Sequence, residues 1–226
     1  MINHILVGAI ATNCWILPAV ASAGPDPEKT EPQEGIVIDP GADAPAIIAR
    51  LRRLQLRPRY IILTHGHFDH IAALPDLIRA FAGSGPLDIG IHRDDQNYLG
   101  PKAYEVHRQS FAAAGGADYV EALWQDQPAP TRLLSEGDTI GPFKVLHLPG
   151  HSPGSAGFLL EREKILFSGD TLFKAGIGRT DLPGGDWQAL QKSLDRLLAL
   201  DRTITVYPGH GPLTAIGAEQ AREGWF

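Results

Sequence analysis

The sequence predicts a mixed fold of strands and helices, α/β or α+β, in one domain over residues 1–226, with two packed sheets and helices outside them. Three observations carry this reading. Short β-branched runs open the chain as a meander, strand and helix patterns then mix, and a second group of strands follows. The composition is that of a globular chain, 43% hydrophobic and 20% charged over 226 residues, enough to bury a sizeable core. No internal repeat interrupts the pattern.

Taken in order, Ile2–Val7, Cys14–Leu17 and Gly35–Asp39 are apolar runs rich in β-branched residues, and they read as strands. Between the last two, Ala21–Glu34 carries Pro25, Pro27, Pro32 and several charges, the pattern of a long exposed hairpin tip. From Asp43 to Leu56 the apolar positions Ala46, Ile47, Ala49, Leu51 and Leu54 recur at helical spacing. The arginines around it (Arg50, Arg52, Arg53, Arg57 and Arg59) read as a solvated helix face and its exit, in preference to an anion site. A strand Arg59–Thr64, a helix Asp69–Phe81, a strand Leu87–His92 and a mixed, largely helical stretch to Gly116 come next. Phe143–Leu148, Ala156–Glu161 and Ile165–Ser168 read as three more strands. Asp186–Leu200 is a helix, Thr203–Tyr207 a last strand, and a short closing helix begins near Leu213.

Several function classes are disfavoured at once. The formal net charge of −6 gives no general attraction to nucleic acid or to an anionic membrane. The single cysteine, Cys14, forms no intramolecular disulfide. It lies in a predicted strand with no basic neighbour to lower its pKa, so a half-buried structural thiol is expected. An apolar stretch leads to Ala21-Ser22-Ala23, but the first basic residue is Lys29, and Gly8 and Asn13 break the apolar block. A secretory signal lacks support there. No other run approaches the ~18 residues of a membrane span. A cytoplasmic protein is expected.

The decisive segment is Thr64-His65-Gly66-His67-Phe68-Asp69-His70, at the end of the strand Tyr60–Leu63 and at the opening of a helix. In extended backbone, residues two apart point the same way, so His65 and His67 can grip one ion. Asp69 and His70 fall on the first helical turn and point elsewhere. Four potential ligands in six residues are costly to explain as packing. Three more stand just past apolar strands, each beside glycine: His151 in Pro149-Gly150-His151, Asp170 in Ser168-Gly169-Asp170, and His210 in Pro208-Gly209-His210-Gly211. Glycine there permits tight turns and close approach of backbone to a ligand. The remaining histidines (His4, His92, His107 and His147) read as structural, His107 with the strongest claim to a pocket.

These motifs, His-x-His-x-Asp-His, the later His, Gly-Asp and the final Gly-His, resemble in kind and order those of the metallo-β-lactamase superfamily, from about Cys14 to Leu213. The resemblance implies an α+β, four-layered αββα sandwich with its site at the sheet edges. It implies one ion held by His65, His67 and His151, a second by Asp69, His70 and His210, and Asp170 bridging both. Zinc is the first expectation, although nitrogen and carboxylate ligands also suit iron or manganese. Two ions about 3.5–4 Å apart can share a hydroxide of lowered pKa that attacks a carbonyl.

The stretch Ser168–Phe173 followed by Gly176-Ile177-Gly178-Arg179 resembles the glyoxalase II branch, which hydrolyses glutathione thioesters such as S-lactoylglutathione. Asp69 and Asp170 would then be catalytic, and Arg179 would bind a substrate carboxylate. This chain departs from that branch at Asp181, where the family has tyrosine. A separate C-terminal helical domain is not expected, with sixteen residues after His210. It resembles the compact bacterial glyoxalase II-like proteins instead. Persulfide dioxygenases, similar in sequence but with one iron at positions matching His65, His151 and Asp170, are the alternative. Hydrolysis of another acyl ester or thioester is a further one. A small-molecule partner is expected, with Tyr104, Phe111 and Trp124 as candidates for the entrance between Tyr98 and Gln127.

Overall fold

A computed structural model of the chain describes residues 1–19, 32–113 and 116–222. The expected hairpin tip at Ala21–Glu34 lies outside them except for its last three residues. Two six-stranded sheets stand face to face among the described residues. The first holds β1 (Asn3–Val7), β2 (Thr12–Pro18), β3 (Gln33–Ile38), β4 (Leu56–Ile62), β5 (Asp88–His92) and β6 (Arg132–Leu134) in that order. The antiparallel β1–β2–β3 meander passes into parallel pairing from β3 to β6.

The second sheet is built from β7 (Thr139–Ile140), β8 (Phe143–His147), β9 (Ala156–Leu160), β10 (Ile165–Gly169), β13 (Thr205–Pro208) and β14 (Thr214–Ala215). A separate hairpin, β11 (Leu172–Phe173) with β12 (Gly176–Ile177), sits between β10 and β13 in sequence. Helices α1 (Ala44–Arg53), α2 (Phe68–Ile71), α3 (Leu74–Ala80), α4 (Ala103–Ala113) and α5 (Ala117–Leu123) fall between strands of the first sheet. Helices α6 (Trp187–Leu198) and α7 (Ile216–Gln220) belong to the second.

Period-two alternation sorts the strand residues into separate cores. Cys14, Ile16, Val37, Ile61 and Leu63 pack outward with Ile47 and Leu51 of α1 and Phe68 of α2. Their neighbours Trp15, Leu17, Ile36, Ile38 and Ile62 point inward against Phe143, Val145, Phe158 and Phe167 of the second sheet. Leu146, Leu159, Leu166 and Val206 face out again, onto Leu190, Leu194 and Leu197 of α6. Three cores between four layers define the αββα sandwich. Cys14 is fully buried and burial pushes its thiol pKa up, as a structural cysteine requires.

Most boundaries shift by one to three residues, and two of the departures from expectation trace to proline. The helix expected over Asp69–Phe81 is two helices, because Pro75 cannot continue a helical ladder and the Ala73 amide donates to Pro40 O instead. Strand β4 starts at Leu56 and runs through Pro58, which pairs opposite Gly35 where the register shifts. A proline is tolerated at such an irregularity. Among the described residues no helix is long and apolar enough to cross a membrane.

Candidate metal centre

Four strand ends of the two sheets bring the predicted residues together. β4 delivers His65 and His67, the β8–β9 turn delivers His151, β10 delivers Asp170 and β13 delivers His210. Asp69 and His70 ride on α2, whose first residue is Phe68. Donor atoms of His65, His67 and His151 lie within 4.8 Å of one another, and so do those of Asp69, His70 and His210. Asp170 stands between the two sets. Its Oδ2 is 3.7 Å from His151 Nε2 and 3.5 Å from His210 Nε2, while its Oδ1 is 3.6 Å from His70 Nε2.

The buried donors are short of partners. Nε2 of His65, Nε2 of His67 and Oδ1 of Asp170 have no hydrogen-bond partner in the interior. Nδ1 of His67 and Nε2 of His151 face each other at 2.9 Å, where two ring nitrogens must compete for a proton or share a cation. Buried polar atoms are normally satisfied. A cluster of nitrogen and carboxylate donors left open in this way fits divalent metal ions.

Protonation divides the cluster. Burial, followed by the neighbouring His70, His67 and His151, drives His65 well below the usual imidazole range, and burial and His151 do the same to His67. Burial also opposes charge on His70, but Asp69, Asp170 and Asp39 outweigh it and raise its pKa well above that range. His210 is raised as well: burial again acts against it and is overcome by Asp69 and Asp170. The Asp69 carboxyl is held well below its ordinary value, His70 and His210 prevailing over burial.

Supporting contacts that sequence reading missed hold the ligand loops. The Asp39 carboxylate accepts from Thr64 N–H at 2.8 Å, from Thr64 Oγ1 at 2.6 Å and from His70 Nδ1 at 3.0 Å. Asp95, fully buried, accepts from Gly66 N–H at 2.9 Å, Gly154 N–H at 2.6 Å and Ser152 Oγ at 2.7 Å. It thereby ties the loop of His65 and His67 to that of His151. On the other side Thr12 Oγ1 donates to Asp69 Oδ2 at 3.0 Å. Asn13 Nδ2 donates to the carbonyls of Pro208 and Gly211, bracketing His210. Asp39 ends an apolar strand as Asp170 does, which is the one signal that pointed to it. Gly209 is obligatory by contact, since a Cβ there would lie 2.0 Å from Asp170 Oδ1.

A cavity of about 380 Å³ opens over the cluster, lined by His67, Asp69, His151, Asp170 and His210, with Arg179 and Phe111 at its edge. Tyr104 and Trp124 are not among its lining residues; Trp124 instead stacks on Phe68. His107 is buried, bonded to Tyr98 O at 2.9 Å and packed on Phe68, a structural histidine. His147 and His92 stack on each other with ring centroids 3.9 Å apart, away from the cluster. Arg179 lines the cavity, but its Nε and Nη2 donate to Asp181 at 2.7 and 2.8 Å.

Fold and cluster together define a metal-dependent hydrolase, and the chain belongs to the metallo-beta-lactamase superfamily, which its sequence matches over residues 30–210. It is 36% identical over 185 residues to the hydroxyacylglutathione hydrolase GloC of Haemophilus influenzae, covering 81% of this chain and 83% of that one. It is 35% identical over 191 residues to the probable metallo-hydrolase YqgX of Bacillus subtilis, covering 82% and 83% respectively. Among solved structures, the BLEG-1 B3 metallo-beta-lactamase superposes with a TM-score of 0.79 at 36% identity, covering 98% of this chain and 97% of that one. TTHA1623 in a di-iron-bound form does so at 0.77 and 35%, covering 97% of each chain. The glyoxalase II-like branch expected from the sequence is consistent with these relatives.

Proposed function

We propose that this protein hydrolyses acyl thioesters at a two-metal centre, with S-lactoylglutathione as the reference substrate. The observation that carries the reading is the Asp170 carboxylate, placed between the His65–His67–His151 and Asp69–His70–His210 sets. In this reading each set holds one divalent ion, zinc being the first choice, and Asp170 reaches both. When bound, such a pair supplies a nucleophilic hydroxide at neutral pH and polarises the scissile carbonyl.

The chain's own residues do the rest. His65 and His67, kept neutral by burial, present lone pairs without first losing a proton. Asp69 stays ionised and turns a carboxylate oxygen to His210 and His70 at 3.3 Å each. It lines the cavity over the cluster, where a carboxylate can steer a proton toward the leaving thiol. Arg179 is positioned at the rim to meet a substrate carboxylate. The GloC likeness supports the glutathione conjugate; the likeness to BLEG-1 makes a β-lactam the second carbonyl substrate to assay. The persulfide dioxygenase alternative keeps several of the same residues, so oxygen uptake with glutathione persulfide in an iron-loaded sample separates the two readings. The whole chain acts as one catalytic unit in the cytoplasm.

The test is thioester cleavage by protein stripped with a chelator and then reloaded with zinc, iron or manganese separately. Turnover that vanishes on stripping and returns on reloading is expected. Turnover indifferent to metal sinks the reading.

A further inference from the structure

Resting on the hydrolytic reading above, we propose that the site is shaped for thioesters with an apolar acyl group on an uncharged thiol, in preference to polar glutathione conjugates. The walls of the cavity carry this. Above the ligand residues stand Ile10, Phe111, Phe173, Ile177 and Leu182, all aliphatic or aromatic. Phe173 meets the His210 ring edge-on at 6.2 Å between centroids, so an apolar face begins directly beside the metal ligands. Ile10, 49% exposed, adds an aliphatic side chain at the mouth of the cavity. The hydroxyl of Ser110, the other polar group on the wall, is engaged with Tyr98.

The charges point the same way. A glutathione moiety presents two carboxylates and an ammonium at neutral pH. Apart from the ligand histidines, Arg179 is the one cationic side chain lining the cavity among the described residues, and Asp181 already holds it through two hydrogen bonds. A substrate carboxylate at Arg179 shares the guanidinium with Asp181, so one partly neutralised cation faces the two carboxylates of glutathione. A lactoyl group is too short to cover these apolar walls, and its hydroxyl gains nothing from them. Each methylene of an alkyl acyl chain removes further apolar surface from water against Ile177, Leu182 and Ile10, strengthening binding roughly two- to fourfold. A volume of about 380 Å³ is ample for an alkyl acyl chain against these walls.

The experiment is a series of kcat/KM values with the metal-loaded full chain. The substrates are the acetyl, butanoyl and hexanoyl thioesters of N-acetylcysteamine, S-hexanoylglutathione and S-lactoylglutathione. A rise of about tenfold or more from acetyl to hexanoyl is expected, with both hexanoyl substrates ahead of S-lactoylglutathione. Leu182→Asn and Ile177→Asn, with folding checked by circular dichroism, are expected to flatten the series. Calorimetry with the uncleavable S-methyl and S-hexyl thioethers of N-acetylcysteamine reads the same preference without turnover, the hexyl compound binding more tightly. A flat series, or S-lactoylglutathione ahead of the hexanoyl substrates, overturns the apolar preference and leaves thioester hydrolysis standing. Failure to cleave any of the five by protein that holds its metal removes both.

Discussion

Nδ1–H of His70 donates to Oδ2 of Asp39 at 3.0 Å, and both side chains are buried. A carboxylate behind an imidazole fixes its tautomer and turns the other nitrogen, here Nε2, toward the centre. Asp39 does a second task through Thr64, whose amide and hydroxyl both donate to it, so one buried carboxylate orients α2 and the end of β4. Asp39→Asn keeps a residue type that accepts the left-handed backbone found there, φ 52°, but loses an acceptor. Metal affinity is expected to fall about 10–100-fold, measured by competition with a chromophoric chelator. Unchanged affinity removes Asp39 from the account.

The opposed pKa shifts order the loss of metal with pH. A ligand imidazole must be neutral, so a proton competes with the ion wherever the metal-free pKa is raised. His70 and His210 are raised, whereas His65 and His67 are depressed. As pH falls from neutrality the ion at Asp69, His70 and His210 is expected to leave first, and its uptake at neutral pH to release protons. Metal content after dialysis across a pH series should therefore step from about two per chain to one before reaching none. Asp69→Ala should already stand at the lower step. Simultaneous loss of both ions contradicts the ordering.

Asp95 is the tie between two ligand loops, and its removal leaves the amides of Gly66 and Gly154 and the Ser152 hydroxyl without their acceptor. Asp95→Ala is expected to cost on the order of 3 kcal/mol, from buried donors left unpaired. In a chain of this size that lowers Tm by roughly 6–12 °C. Thermal unfolding of the metal-free protein isolates this effect from metal binding. A shift of a degree or less means the loops are held by other contacts.

At the rim, Asp181→Asn removes the negative partner of Arg179. KM for S-lactoylglutathione is expected to drop by about two- to fivefold with kcat little changed, since an exposed pair of this kind is weak. Thioesters of an uncharged thiol should show no such gain. Steady-state kinetics on both substrates decide it, and an equal change for the two denies Arg179 a role in carboxylate binding.

Much of this arrangement could be read from local pattern. His65-Gly66-His67 follows the last residues of β4, and Asp69-His70 opens α2, because an apolar run stopping at polar residues marks both ends at once. His151, Asp170 and His210 announced themselves by glycine beside a strand end. Asp95 gave no such signal: its partners lie 29, 57 and 59 residues away in sequence, and only the packing of the two sheets brings them together. The edge strands β6, β7 and β14, two or three residues each, are too short for alternation to show. Pro58 hid the start of β4, and Pro75 broke a helix whose apolar spacing continued across the gap.

The central claim is a centre of two metals that depends on Asp170 and cleaves a thioester carbonyl. The most direct measurement takes purified, metal-assayed protein and follows thioester cleavage in the parent chain and in Asp170→Ala, with metal content recorded for each. About two ions per chain and turnover in the parent are predicted, with turnover falling by about a thousandfold or more in the folded variant. Full activity in Asp170→Ala, or turnover with a single ion per chain, would contradict it.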